Sequence, residues 1–326
     1  MRIVVVTPLV PRARTGNRVT ALRWVRMLRG LGHSVNVASA YGGQPCDILV
    51  ALHARKSAQS VQRFRGEHPD YPVVLTLTGT DLYDEIRSCP DARRSMELAT
   101  RLVVLQPAGL VELSEALRIK TRVIIQSAER PPQPAAPDQS VFQVCVLAHL
   151  RPVKDPLRTA FAARLVPSSS KLQVIHLGNA LDETLSEEAR KEMAINPRYR
   201  WLGERPPAEA RRMLASSRLM VLTSRLEGGA NVVSEAIACS VPVISSRISG
   251  SIGLLGEEYP GYFPVGDTPA LSDLLRRAET DRGFYESLTS WCDRRAAMVN
   301  PANERRAWQD LLHELESGSS EISSTR

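Results

Sequence analysis

Two glutamates eight positions apart, Glu227 and Glu235, stand on either side of a Gly228-Gly229 pair in the segment SRLEGGANVVSEAIACSVPVISS. Carboxylates accept paired hydrogen bonds from vicinal hydroxyls, so such a pair suits a ligand carrying one sugar at each end. The residues around them predict how they are held. Arg218 to Thr223 is an apolar, β-rich run, and the glycines permit a sharp turn and close approach of the backbone to a ligand. Asn231 to Cys239 then predicts a short buried helix that stops before Pro242, where the next strand opens. Backbone N–H groups of Gly229, Ala230, Asn231 and Val232 at such a helix start favour an anion, and a diphosphate fits between two sugars. The helix repeat puts Glu235 about two turns beyond Glu227, one carboxylate in the turn and one inside the helix. A pair of solvated glutamates around an ordinary turn is the bland alternative, and the double glycine and the PVIS strand speak against it.

This segment resembles the donor-site motif of the GT-B glycosyltransferases of the large retaining family 4. The resemblance implies that Glu227 contacts donor-sugar hydroxyls and that Glu235 holds the nucleotide ribose. Ser240 stands where that family usually has glycine.

A second constellation follows another strand-like run. AHLRPVKDP offers His149, Arg151 and Lys154, and two cations directly after a strand can neutralise a departing diphosphate. They resemble the Arg/Lys pair of the same family, with the usual arginine position falling on His149 and Arg151 two residues later. Lys154 is the better match. The expected catalytic set is therefore Lys154, Arg151 and Glu227. The donor-binding set is His149, Gly203, Gly228, Gly229, Ala230, Asn231, Val232 and Glu235.

Composition bounds the rest. A chain of 326 residues accommodates two ordinary domains with sizeable cores. Its five cysteines (Cys46, Cys89, Cys145, Cys239, Cys292) are scattered through mostly apolar runs, which predicts neither a disulfide framework nor a metal quartet and points to a reducing cytoplasm. No apolar run approaches a membrane span, and MRIVVVTPLVP, broken by Pro8, reads as a first strand rather than a signal peptide. The formal charge of +7 favours anionic partners, but no interleaved basic and aromatic stripe points to nucleic acid. No Asp-x-Asp or His/Cys cluster stands out, so neither a metal nor a cofactor is expected. The absence of G-x-G-x-x-G after the first strand argues against a nicotinamide enzyme.

Strand-like runs alternate with helical patterns on both sides of a proline-rich stretch at 130–139. This predicts α/β architecture with two doubly wound Rossmann-like domains, the GT-B class, and an interdomain cleft. The expected boundaries are residues 1–138 for an acceptor-side domain and 139–299 for a nucleotide-sugar domain. A helix at 300–316 is expected to pack back on the first domain, ahead of a disordered tail at 317–326. Gly250 to Gly256 reads as a plain connection. Thr20 to Leu31 predicts an amphipathic helix with an arginine face; docking on the first sheet is its simplest role, and a membrane surface is the rival.

Ligands of open parallel sheets collect beyond the carboxyl ends of the strands. In the first half those positions hold Arg12, Arg14, Gly16, Asn17, Arg18, Gly79, Thr80, Asp81 and Gln126, the candidate acceptor-binding residues. His33 reads as structural. His53 and His176 end strands, where a substrate contact and a satisfied core histidine are equally open.

A narrower resemblance covers nearly the whole chain. GNRVTALRW, VALHARKS, LTGTDLY, VLQ, HLRPVKDP, RYRWLGE, SRLEGGANVVSEAI and GLLGEEYPGYFPVGDT are together similar to the selenosugar synthases of selenoneine biosynthesis. That resemblance implies transfer of the sugar of UDP-N-acetylglucosamine to selenophosphate, releasing UDP and phosphate. It also admits other enzymes of that pathway as partners. The residues by themselves support a nucleotide-sugar half and a cationic, hydroxyl-rich half. They leave open an ordinary hydroxyl acceptor, soluble or lipid-linked, and a nucleotide-sugar 2-epimerase.

Overall fold

A computed structural model describes residues 1–8, 16–132 and 136–323, with side-chain surroundings through residue 317. The chain forms two compact units: Met1–Gln126 with the segment from Pro301 onward, and Ser127–Asn300. The first contains a six-stranded sheet of β1 (Arg2–Val6), β2 (Ser34–Ala38), β3 (Ile48–Leu52), β4 (Val73–Leu77), β5 (Arg101–Val104) and β6 (Thr121–Val123). Their spatial order is β2-β1-β3-β4-β5-β6, and every pairing is parallel. β3 and β4 are buried along their whole length, which explains their unbroken apolar runs.

Alternation along these strands divides the apolar side chains between two cores. Val4, Val6, Leu49, Ala51 and Leu75 face one that includes Phe64 and Met96, while Ile3, Val5, Ile48, Val50 and Val74 face another. The second core is closed by Trp24 of helix Gly16–Gly30 and Trp308 of helix Pro301–Ser323, whose rings meet edge to face at 4.9 Å. The buried carboxylate of Glu304 accepts the Trp24 indole N–H at 2.6 Å and pairs with Arg23 at 3.2 Å. Docking by Leu311, Leu312 and Leu315 anchors this helix, and it runs on to Ser323. The tail expected to be disordered from residue 317 is thus helical as far as it is described. A docked helix extends one residue at a time at little cost, which composition alone does not reveal.

The second unit holds β7 (Phe142–Leu147), β8 (Leu172–Leu177), β9 (Tyr199–Trp201), β10 (Leu219–Leu222), β11 (Val243–Ser246) and β12 (Tyr262–Phe263). The parallel order is β12-β11-β10-β7-β8-β9, the doubly wound arrangement whose strand order reverses between β7 and β10. The division between units comes at Gln126/Ser127, ahead of the proline-rich stretch where it was expected. Prolines mark irregular backbone, whereas contacts decide membership: Ala128 N–H already donates to the carbonyl of Val299 at 3.0 Å. Gly250 to Gly256, expected as a connection, lies mostly in a helix, Ser249–Leu255. No helix among the described residues is long and apolar enough to cross a membrane.

His176, fully buried at the end of β8, is a satisfied core histidine. Its Nε2 lies 2.8 Å from the carbonyl of Ala148, which only accepts, so Nδ1 takes the hydroxyl proton of Tyr199, also at 2.8 Å. Burial pushes its pKa down to about 4. A folded-state value below the ordinary 6.5 gives stability that is complete above pH 6.5 and is lost as pH falls toward 4, up to about 3 kcal/mol. Urea unfolding at pH 7 and pH 4.5 should therefore show a smaller acid-dependent loss in His176→Gln than in the parent, and equal losses would contradict this assignment.

The helix Asn231–Ala238 ends in a Schellman motif, with Ser240 N–H donating to Ile237 at 3.1 Å and Val241 N–H to Ala236 at 2.9 Å. Ser240 occupies the left-handed position, φ +55°, where glycine has no Cβ penalty. Ser240→Gly should raise stability by up to about 1 kcal/mol in urea unfolding; a loss of stability would show that the serine side chain is needed there.

Candidate functional site

The reversal of strand order separates the loops that leave β7 and β10, and hydrogen bonds lace these two loops together. The Thr223 hydroxyl donates to the carbonyls of Lys154 and Asp155, at 3.0 and 2.9 Å. Arg225 N–H donates to the carbonyl of Val153 at 2.9 Å. Pro152–Lys154 forms a single 3-10 turn closed by Asp155 in a left-handed conformation, φ +43°. The turn thereby aims Lys154 at the second loop: its Nζ lies 2.5 Å from Oε1 of Glu227. Ser224 Oγ donates to the same oxygen at 2.6 Å, and the Ser224 carbonyl is held by the hydroxyl of Ser246 at the end of β11. Both charged side chains are largely withdrawn from solvent, at 26 % and 13 % exposed, so their attraction is poorly screened.

Two glycines allow backbones to approach closely around these loops. A Cβ on Gly250 would lie 2.2 Å from the carbonyl oxygen of Glu227, and one on Gly178 would lie 1.8 Å from that of Ala148. Gly178 N–H in turn donates to the Gly203 carbonyl at 3.0 Å, and Gly203 adopts φ +71°. His149 completes the joint between loops, its Nδ1 accepting from Asn179 N–H at 3.0 Å.

The structure thus brings Lys154, Glu227, Gly228, Gly229 and Ala230 together in one pair of laced loops, with Asn231, Val232 and Glu235 on the helix that follows. Arg151 lies exposed at the start of the Lys154 turn. His149 and Gly203 serve the joint between neighbouring loops. Sequence reading missed Thr223 and Ser224, although a hydroxyl pair ending a strand three residues before a glutamate was a usable signal. It also missed the steric need for Gly250 and Gly178. Among the described residues, no three His, Cys, Asp or Glu side chains are grouped to hold a metal ion.

In the first unit the structure gives two candidate acceptor residues a different role. Asp81 is fully buried, and its carboxylate accepts backbone N–H groups of Ala54 (2.9 Å), Thr78 (2.9 Å) and Gly79 (2.8 Å). Gln126 is also buried and donates to Thr20 Oγ1 at 2.5 Å; Thr20 in turn donates to the Gly16 carbonyl at 2.9 Å. A polar residue after a strand reads as ligand-facing, but Asp81 here turns inward onto loop N–H groups and Gln126 onto the helix Gly16–Gly30. Gly16, Asn17 and Arg18 open the helix Gly16–Gly30, and Gly79 and Thr80 lead into a short helix after β4. Arg12 and Arg14 lie outside the described residues.

Comparison with known proteins agrees with this architecture. The sequence profile described as "Glycosyl transferases group 1" matches residues 127–296, just over half of the chain and almost all of the second unit. N-acetyl-α-D-glucosaminyl L-malate synthase of Bacillus anthracis is 32 % identical over 132 residues, an alignment spanning 39 % of this chain and 34 % of that protein. HepE of Anabaena, solved in complex with UDP and glucose, superposes with a TM-score of 0.76 at 16 % identity, covering 97 % of this chain and 100 % of its own. Sucrose-phosphate synthase of Thermosynechococcus elongatus gives 0.77 at 15 % identity, covering 97 % and 99 %. At such identities these structures show the fold alone: two parallel-sheet, Rossmann-like α/β units of the GT-B type. With the family profile lying across Lys154, Glu227 and Glu235, the chain belongs to the group 1 glycosyl transferases.

Proposed function

We propose that this protein is a glycosyltransferase that uses a UDP-sugar donor, bound by the second unit. The observation that carries this reading is the meeting of Lys154 and Glu227 at the point where strand order reverses. A diphosphate at the start of helix Asn231–Ala238 draws on the helix dipole and on Lys154, which stabilises the negative charge growing on the leaving nucleotide. Glu227, once Lys154 turns to phosphate, accepts hydrogen bonds from sugar hydroxyls, and Glu235 holds the ribose. Arg151 adds positive charge at the mouth of the same turn. That HepE, which shares this fold, was solved with UDP and with glucose supports a UDP-sugar as the donor class.

For the substrates, our reading is UDP-N-acetylglucosamine as donor and selenophosphate as acceptor: selenium bonds to the anomeric carbon as UDP leaves, and water then cleaves the selenium–phosphorus bond to give the selenosugar and phosphate. Its support is the similarity of segments throughout the chain to selenosugar synthases. Selenium is a strong, already anionic nucleophile, so this reaction needs no protein base. A second reading, a small hydroxy acid as acceptor, is favoured by the similarity to the glucosaminyl malate synthase. Incubating the protein with UDP-N-acetylglucosamine and either freshly made selenophosphate or malate, and reading the products by mass spectrometry, separates the two. A selenium-bearing sugar supports the first reading, and a glycosylated acid with no selenium product replaces it by the second.

Hydrogen bonds to charged groups contribute roughly 1.5–3 kcal/mol, or about tenfold to a hundredfold in affinity. By calorimetry, Glu235→Ala should weaken UDP binding by about that factor, whereas Glu227→Ala should leave UDP binding within a few-fold and lower kcat by at least about tenfold. An unchanged UDP affinity in Glu235→Ala would remove the ribose role.

We also propose that Lys154, with Arg151, takes the charge-neutralising place that a divalent ion fills elsewhere. Turnover should persist in excess chelator and should fall about a hundredfold or more in Lys154→Ala. Loss of activity in chelator, restored by magnesium or manganese, would contradict this.

A further inference from the structure

His53 directly follows β3, which borders β1 where the strand order of the first sheet reverses. Its φ of +75° is the left-handed conformation that few residues other than glycine adopt without cost. The other described non-glycine residues with positive φ are Asp155, in the Lys154 turn, and Ser240, at the end of the donor-site helix. The His53 side chain is 4 % exposed, and its two ring nitrogens face different surroundings. Nε2 lies 3.1 Å from Thr80 Oγ1. Nδ1 faces the carboxylates of Asp81 at 3.9 Å and Glu85 at 3.8 Å. Neither Nδ1 nor the facing Oε2 of Glu85 has a hydrogen-bond partner, and both are buried. The other oxygen of Glu85 is held by Arg55 at 2.9 Å, while Asp81 is committed to loop N–H groups.

This asymmetry fixes the tautomer. Two carboxylates beside Nδ1 place the ring proton there, because a lone pair facing them would be repelled. Nε2 then has only a lone pair to offer, so Thr80 must donate its hydroxyl proton to it. The oxygen of Thr80, half-buried at the start of its helix, is left with lone pairs for a ligand. Arg55 and Lys56, exposed on the turn that His53 begins, put positive charge beside it.

We propose that Thr80, oriented by His53 and Glu85, is the hydrogen-bond acceptor through which the first unit recognises the O–H of a small anionic acceptor. His53 and Glu85 are positioning residues. The inference rests on the glycosyl-transfer reading and names a chemistry common to both acceptors considered above: an anion bearing one O–H, on phosphorus or on carbon. It also has a pH signature. Protonation puts an N–H on Nε2 as well, forcing Thr80 to accept from the ring and turn its own proton outward, so the acceptor's O–H loses its partner. Burial lowers the ring's pKa below 6.5, as do Lys56 and Arg55, against the opposing pull of Asp81 and Glu85, so this loss belongs to the acid side of 6.5.

The test joins spectroscopy to kinetics. In 15N-labelled protein at pH 7.5, long-range 1H–15N correlation should show His53 neutral with its proton on Nδ1; a proton on Nε2 overturns the proposal whatever the activity. With either acceptor, Thr80→Val should raise the acceptor KM about three- to tenfold at unchanged donor KM, and Thr80→Ser should restore it. The parent's acceptor KM should climb as pH falls below 6.5, and His53→Asn, which tolerates positive φ but does not reach Thr80, should abolish that climb. An unchanged acceptor KM in Thr80→Val, or a His53→Asn variant that keeps the parent's pH dependence, overturns the proposal. If the tautomer is as stated but neither selenophosphate nor malate is glycosylated, those two substrate readings fail and the polarity of Thr80 stands. Selenophosphate and malate assayed side by side distinguish the two sources of the O–H.

Discussion

An ammonium and a carboxylate drawn from two separate loops, Lys154 and Glu227, organise the second unit. Bringing them within 2.5 Å removes both from most of their water, a cost that a single pair recovers only with good geometry and further hydrogen bonds. Ser224 supplies one such bond, and Thr223 and Arg225 fix the loops that carry the charges. Gly250 and Gly178 remove the Cβ atoms that would hold neighbouring backbones apart. The parallel order of the sheet sends the chain in opposite directions after β7 and β10, and the space between those loops is where this pair forms.

The first unit repeats the principle with different chemistry. Its sheet also reverses order, between β1 and β3, and a strained residue again sits beside the reversal. Here the buried charge is Asp81, spent entirely on loop N–H groups, so that a neutral imidazole and a hydroxyl form the end of the network nearest the loop surface. One unit therefore presents an ion pair beside its reversal of strand order, and the other an imidazole and a hydroxyl. The Trp24–Trp308 contact ties the last helix to the first sheet, so residues from both ends of the chain build that unit's core.

Much of this was legible in the sequence. Period-two alternation and buried apolar runs placed the strands, and the Glu-Gly-Gly spacing located the loop and helix that carry Glu227 and Glu235, because both are short-range patterns. Contacts between distant segments were not legible. Nothing local distinguishes Asp81, turned inward onto three loop N–H groups, from an aspartate facing a ligand. Ala128, just past the division at Gln126, is tied to Val299 more than 170 residues away, and the helix that runs past residue 316 is docked through Leu311, Leu312 and Leu315. Gly250 looked like a connection because the atom it must avoid, the carbonyl of Glu227, lies more than twenty residues away in sequence and 2.2 Å from where a Cβ would be.

The central claim is that nucleotide binds where the β7 and β10 loops meet. Hydrogen exchange measured by mass spectrometry with and without saturating UDP tests it directly, since a ligand that orders loops slows exchange of their amides. The account predicts added protection in residues 149–155 and 226–234. Protection absent from both segments, or confined to the first unit, would contradict it.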